Sequence, residues 1–95
     1  MIKTLDAEMD HVQRQMKAWS GSDWSSRQYG DHTVSQTWFV KAPQLNDHEL
    51  ANEVYTLGGY DTLSGRKDGL HMSVMVSSAP SSDWRIVYVE IAMAR

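Results

Sequence analysis

The chain contains no cysteine, so disulfide bonds, thiolate metal sites and thiol nucleophiles are all excluded. It also lacks any run of lysine or arginine, and its formal net charge is −3. Broad electrostatic capture of nucleic acid needs a basic stripe, so binding to duplex nucleic acid is disfavoured. No stretch approaches the roughly 20 apolar residues of a membrane span, and the first residues lack the apolar run of a signal peptide. These absences predict a soluble, cytoplasmic protein without a membrane partner.

Motifs that commonly carry chemistry are missing as well. The sequence has no histidine pair at helical spacing, no G-x-S-x-G turn and no glycine-rich phosphate loop. We therefore expect a protein that is not an enzyme, with no catalytic residues, no metal site and no cofactor. Asp-His does occur three times, at 10–11, 31–32 and 47–48, but turn and capping chemistry account for the second and third carboxylates.

The length of 95 residues predicts one small domain spanning residues 1–95. Four tryptophans and six methionines are many for this length. Both residue types are enriched where proteins bind other proteins, although most such side chains are simply part of a core.

Apolar spacing predicts two helices. The first has apolar residues 3, 4, 3, 4 and 3 positions apart, which places them on one stripe: Ile2, Leu5, Met9, Val12, Met16 and Trp19. We expect Thr4 to cap this helix. In the second helix Asn46 and Glu49 form a capping box, Leu50, Val54 and Leu57 are buried, and the helix ends at 58–59.

Alternation of apolar and polar residues predicts two pairs of strands. The first pair is a hairpin turning at Gly30-Asp31, with Val34, Trp38 and Val40 on one face and Phe39 on the other. The second pair begins at Leu70 and at Trp84. The last strand is apolar on both faces until Glu90, which is typical of a central strand.

The predicted fold is α+β, a two-layer sandwich of order α-β-β-α-β-β. We expect a four-stranded, mainly antiparallel sheet with both helices on one face. This order resembles the ferredoxin-like fold with its first strand moved to the end, so the final strand should lie in the middle of the sheet. The loop at 60–69 has room for a short strand around 60–63, which the four predicted strands do not include.

The sheet face opposite the helices, called the open face here, then becomes the candidate binding site. Monomers seldom leave a large contiguous apolar patch bare. Two alternatives are that the 60–69 loop, or the segment around Trp24, folds over it. The predicted partner-binding residues are Trp84, Tyr88, Ile86, Phe39, Met75 and His71.

These expectations favour a small non-enzymatic protein–protein interaction module. It would be a regulator or inhibitor, of the kind that phages and mobile elements carry, and its partner would be another protein or a second copy, as in a homodimer. One alternative is a dimeric ferredoxin-like enzyme or small-molecule binder with a pocket between sheets and His71 pointing inward. Another is a platform on which Phe39, Trp84 and Tyr88 stack on single-stranded nucleic acid.

Overall fold

A computed structural model of the chain describes residues 2–16, 25–41, 44–78 and 84–93. Two helices and five strands follow one another along these ranges. In chain order they are α1 (Ile2–Met16), β1 (Ser25–Gly30), β2 (Thr33–Lys41), α2 (Asp47–Gly58), β3 (Arg66–Lys67), β4 (Leu70–Ser78) and β5 (Trp84–Met93).

The five strands form one sheet in the order β1-β2-β5-β4-β3, and every neighbouring pair is antiparallel. The C-terminal strand β5 lies in the centre, as its two-sided apolar pattern predicts. The four longer strands keep the order expected of the permuted ferredoxin-like arrangement. The α+β prediction is therefore confirmed, whereas the predicted number of four strands is wrong by one.

The additional strand is β3, which pairs with the start of β4 at the edge of the sheet. It begins three residues after the end of the segment 60–63, where a short strand had room to form. That segment instead turns around Asp61, whose carboxylate accepts from the backbone N–H groups of Leu63 and Ser64 at 2.7 and 3.0 Å. β3 and β4 are then joined through Asp68 and Gly69, both at positive φ, as a tight hairpin requires.

Both helices pack on the same face of the sheet and enclose the core. α1 contributes the apolar stripe that its spacing predicts, although Trp19 and the side chain of Ile2 lie outside the described part. α2 contributes Leu50 and Val54, whereas Leu57, which was predicted to be buried with them, is half-buried. The buried residues are Leu5, Met9, Val12, Met16, Val34, Trp38, Val40, Leu50, Val54, Tyr60, Leu70, Met72, Val87, Val89 and Ile91.

The ends of α2 follow the predicted chemistry. The Asn46 side chain accepts from the Glu49 N–H at 2.8 Å, and the Glu49 carboxylate accepts from the Asn46 N–H at 3.0 Å. Gly59 ends the helix in the left-handed conformation, at φ 83°. Neither helix of the described ranges combines the length and the apolar character needed to cross a bilayer.

Two local predictions are wrong. Helix α1 already includes Ile2, so Thr4 lies within the helix and does not cap it. In the first hairpin Gly30 pairs with Thr33, and the turn consists of Asp31 and His32. Gly30 belongs to the ladder, and His32 takes a positive φ of 58° in the turn.

Candidate functional site

The strand register determines which side chains share the open face. Residues that alternate with the core positions on β2, β4 and β5 point away from the helices. Phe39 on β2 lies directly opposite Ile86 on β5, and Met75 on β4 lies directly opposite Tyr88. Directly opposed side chains have Cβ atoms about 5 Å apart, so the four form two adjacent cross-strand rows.

A fifth residue extends this group. Trp84 lies two residues before Ile86 on the same face and is opposite Lys41 of β2. The group is called the apolar patch from here on, and it consists of Phe39, Met75, Trp84, Ile86 and Tyr88. Five of the six residues predicted from the sequence are thus brought together.

The sixth predicted residue, His71, lies on the same face but at its other end. It is opposite Ala92 of β5 and Arg66 of β3. It lies four positions before Met75 on β4, a distance of about 13 Å at ordinary strand rise. A polar row of Ser73 and Glu90 lies between them, so His71 is separate from the apolar patch.

Three residues of the apolar patch are exposed, and the other two, Trp84 and Tyr88, are half-buried. Met75 exposes 66% of its surface, Ile86 40% and Phe39 37%, whereas Met72, three residues before Met75, is fully buried. The described part of the 60–69 loop does not cover the patch, because it continues into β3 at the sheet edge beside Leu70 and His71. The other predicted cover, Trp24, lies outside the described residues.

The carboxylate of Glu90 lies where the apolar patch ends. The part of the open face beyond it is called the polar end, and it consists of Ser35, Ser73, Glu90 and His71. Glu90 accepts a hydrogen bond from the Tyr88 hydroxyl at 3.0 Å. Ser35 of β2 and Ser73 of β4 lie opposite Glu90 on either side. The hydroxyl of Tyr88 is therefore held toward the polar end, and its ring belongs to the apolar patch.

The opposite side of the sheet carries a polar network at the β1 edge. The Arg27 guanidinium contacts the carboxylates of Asp6 and Asp10 on α1 at 3.0 and 2.8 Å. It also donates to the side-chain oxygens of Gln36 and Gln13 at 2.6 and 3.1 Å. Gln36, only 2% exposed, donates in turn to Gln13 at 2.7 Å. These mutual contacts fix α1 to the edge strand and identify a structural network.

A second network ties β3 to α1. The Lys67 ammonium contacts the Glu8 carboxylate at 2.8 Å and donates to the Gly58 carbonyl at 3.0 Å, and the Tyr60 hydroxyl donates to Glu8 at 2.9 Å. Burial acts to raise the pKa of Glu8, but the hydrogen bonds from Lys67 and Tyr60 outweigh it and lower that pKa below its ordinary value. Burial and the Glu8 hydrogen bond raise the pKa of Tyr60.

The three Asp-His pairs are separate in the fold. Asp10 contacts Arg27, and Asp47 contacts Arg85 at 3.1 Å. Residues 31–32 form the first hairpin turn. The carboxylates at 10 and 47 thus serve ion pairs between the helices and the sheet, and within the described residues no three His, Asp or Glu side chains converge on a possible metal position.

Comparisons with protein-family models, with characterised proteins and with solved structures find no match to this chain. The properties of the site therefore rest on its own geometry. Two of its features are missed by the sequence analysis. The Arg27 network is one, although a polar Gln36 inside the alternation of Val34, Trp38 and Val40 signals it. The polar end of the open face is the other, and its signal is the break in the apolar run at Glu90.

Proposed function

We propose that this protein is a non-enzymatic protein-interaction module that binds its partner through the apolar patch. The observation that carries the proposal is the exposure of Met75, Ile86 and Phe39 on three adjacent strands of one sheet face. Isolated exposed apolar residues are ordinary on protein surfaces, whereas a contiguous group of this kind commonly marks an interaction site.

The composition of the apolar patch favours a protein as the partner. Tryptophan and tyrosine are enriched among the residues that contribute most to binding, and methionine adapts its shape to irregular surfaces. Trp84 and Tyr88 lie at the two ends of the patch on the central strand, with Met75 beside Tyr88. Rigid rings on a central strand, next to a flexible thioether, suit a folded protein surface better than a small ligand.

The size of the apolar patch limits the free energy that its burial can contribute to binding. Three strands and three side-chain rows cover about 300 Å² at ordinary strand spacing. Patch residues occupy five of the nine positions in this area, so burial of its apolar part corresponds to about 4 kcal/mol before the cost of lost rotation and translation. A stable complex therefore needs further contacts around the patch, and the polar end of the open face supplies groups for them.

The proposal is tested by replacing Met75 with a photo-reactive methionine analogue in the intact chain and irradiating cells of the native host. We expect covalent adducts between this position and a protein. The control carries the same analogue at Leu63, which is 97% exposed but lies in the 60–69 loop away from the patch. If position 75 gives no more adducts than position 63, the apolar patch is not a protein-binding surface.

A further inference from the structure

We infer that two copies of this chain join edge to edge through β1, so that their two five-stranded sheets become one continuous antiparallel sheet. The outer edge of β1 is separate from the apolar patch, so this inference goes beyond the proposed function and does not depend on it. It is carried by the backbone groups that β1 directs outward, by the difference between the two edges of the sheet, and by the match between β1 and a second β1.

The hairpin register determines which backbone groups of β1 face away from the sheet. Gly30 and Thr33 flank a two-residue turn, and residues in this position bond to each other through their N–H and C=O groups. Bonded and non-bonded pairs alternate along an antiparallel ladder, so Ser26 and Gln28 also bond to β2. Among the described residues, β1 has β2 as its sole strand neighbour. The backbone groups that point outward belong to Ser25, Arg27 and Tyr29.

The opposite edge of the sheet is protected against further strands. Its outermost strand, β3, has two residues, both basic. Beyond β3, the Met72 N–H donates to the Gly65 carbonyl at 2.7 Å. The Val74 N–H donates to the Tyr55 hydroxyl at 3.1 Å. Short length, basic side chains and cover by neighbouring groups are the usual protections of a sheet edge.

β1 lacks these protections. It has six residues, contains no lysine or proline, and pairs with β2 without a bulge. Its one charged side chain, Arg27, is turned toward the helix layer, where Asp6 and Asp10 hold the guanidinium. Each copy therefore offers one unprotected edge, and two such edges that meet about a two-fold axis form a closed dimer and not a filament.

One antiparallel register uses every outward group of both strands. A two-fold axis through Arg27 places Ser25 opposite Tyr29 of the other copy, so all three outward residues are paired. Moving the axis by one residue leaves Ser25 unpaired. In the first register the ring of Tyr29, which is 56% exposed, lies beside a small side chain. The two Arg27 guanidiniums turn toward different α1 helices, and each stays between its own two carboxylates.

The helix layer leaves room for this pairing. Helix α1 packs over β2 and β5. The two copies of β2 would lie three strand spacings apart, about 14 Å, which exceeds the 8–10 Å at which helices pack. The side chains of Arg27 and Tyr29 from both copies lie between the two helices. Both apolar patches remain exposed on the other side of the continuous sheet.

The association is tested by sedimentation velocity on the intact chain from about 1 to 200 μM, a range that covers micromolar dissociation constants. We expect a concentration-dependent shift from monomer to dimer. Met75→Glu changes the apolar patch and not the edge, so its dissociation constant should equal that of the wild type. Equal thermal midpoints at low concentration would show that this variant is folded.

The register is tested with single cysteines, since the chain has none of its own. Ser26 and Gln28 are exposed, and in the register centred on Arg27 they lie opposite each other across the interface. Their Cα atoms would be about 4.5 Å apart, within the range of a disulfide. Two copies of the same position would be diagonal, about 8 Å apart. Under mild oxidation we expect linked dimers when Ser26→Cys and Gln28→Cys are mixed, and few with either variant alone.

Three results would overturn the inference. The first is a wild-type chain that stays monomeric over the whole range. The second is a dimer that Met75→Glu weakens, because it would form through the apolar patch. The third is a cysteine variant that links to itself as readily as the two variants link to each other. A monomeric chain whose position 75 still cross-links to another protein would remove this inference and leave the proposed function in place.

Discussion

The two faces of this sheet are built from the same strands, yet one is covered by the two helices and the other is exposed. Met72 and Met75 illustrate the difference, since they lie three residues apart on β4, one buried under the helices and the other 66% exposed. Helices α1 and α2 enclose only one face, because α1, before β1, and α2, between β2 and β3, pack on the same side. An apolar residue in a strand is therefore evidence of burial only where a second layer covers its face of the sheet.

The largest predicted difference in the free energy of unfolding is between Met72→Ala, on the covered face, and Met75→Ala, on the open face. Met72→Ala leaves a cavity between β4 and α2 and should lower the free energy of unfolding by about 3 kcal/mol. Met75→Ala removes the same atoms from the exposed face and should change it by less than about 0.5 kcal/mol in the monomer. Urea denaturation at low protein concentration measures both values. Similar losses in the two variants would mean that the open face is covered within one chain.

A second prediction concerns the polar contacts that hold the covered face to α1. Arg27→Ala leaves the carboxylates of Asp6 and Asp10 without their cation and the buried Gln36 oxygen without a donor. It should therefore destabilise the fold by about 2 kcal/mol. Arg66→Ala removes an exposed arginine from β3 and serves as the matched control, with an expected change below about 0.5 kcal/mol. An Arg27→Ala variant as stable as this control would show that the network does not contribute to folding.

The smallest change in stability is expected for Glu8→Gln, and this change depends on pH. Its pKa is lowered in the folded state, so its contribution to stability is fully present above its ordinary pKa of 4.5 and is lost as the pH falls through the lowered value. We expect Glu8→Gln to be less stable than the wild type by about 1 kcal/mol near pH 7. The difference should shrink as the pH is lowered below 4.5. Thermal midpoints measured at several pH values check this, and a constant difference down to pH 2 would contradict it.

Much of the fold follows from periodicity and from local motifs. The stripe in α1, the capping box of α2 and the two-sided apolar pattern of β5 are each determined by neighbouring residues, and the structure shows all three. The two-residue strand β3 could not be predicted in the same way, because so short a segment has no period. Its position depends on Gly65, whose φ of 70° and closeness to the Met72 carbonyl are tertiary features.

The candidate site was predictable for a similar reason. Five members of the apolar patch lie on strands whose alternation assigns them a face, and the register then makes them neighbours. His71 shares the face but lies at the other end of the sheet, since alternation specifies the side of a residue and not its position along the sheet. The Arg27 network joins residues distant in the chain, so only the isolated polar Gln36 pointed to it.

The contacts of Arg27 also determine how the edge strand is aligned. β1 is polar and mostly exposed, so hydrophobic contacts alone would specify its pairing with β2 only weakly. A slip by one residue would turn the guanidinium to the opposite side of the sheet, away from both carboxylates of α1. Arg27 thus fixes the register of β1 against β2. The other residues of this outer strand can then change in sequence while its alignment is preserved.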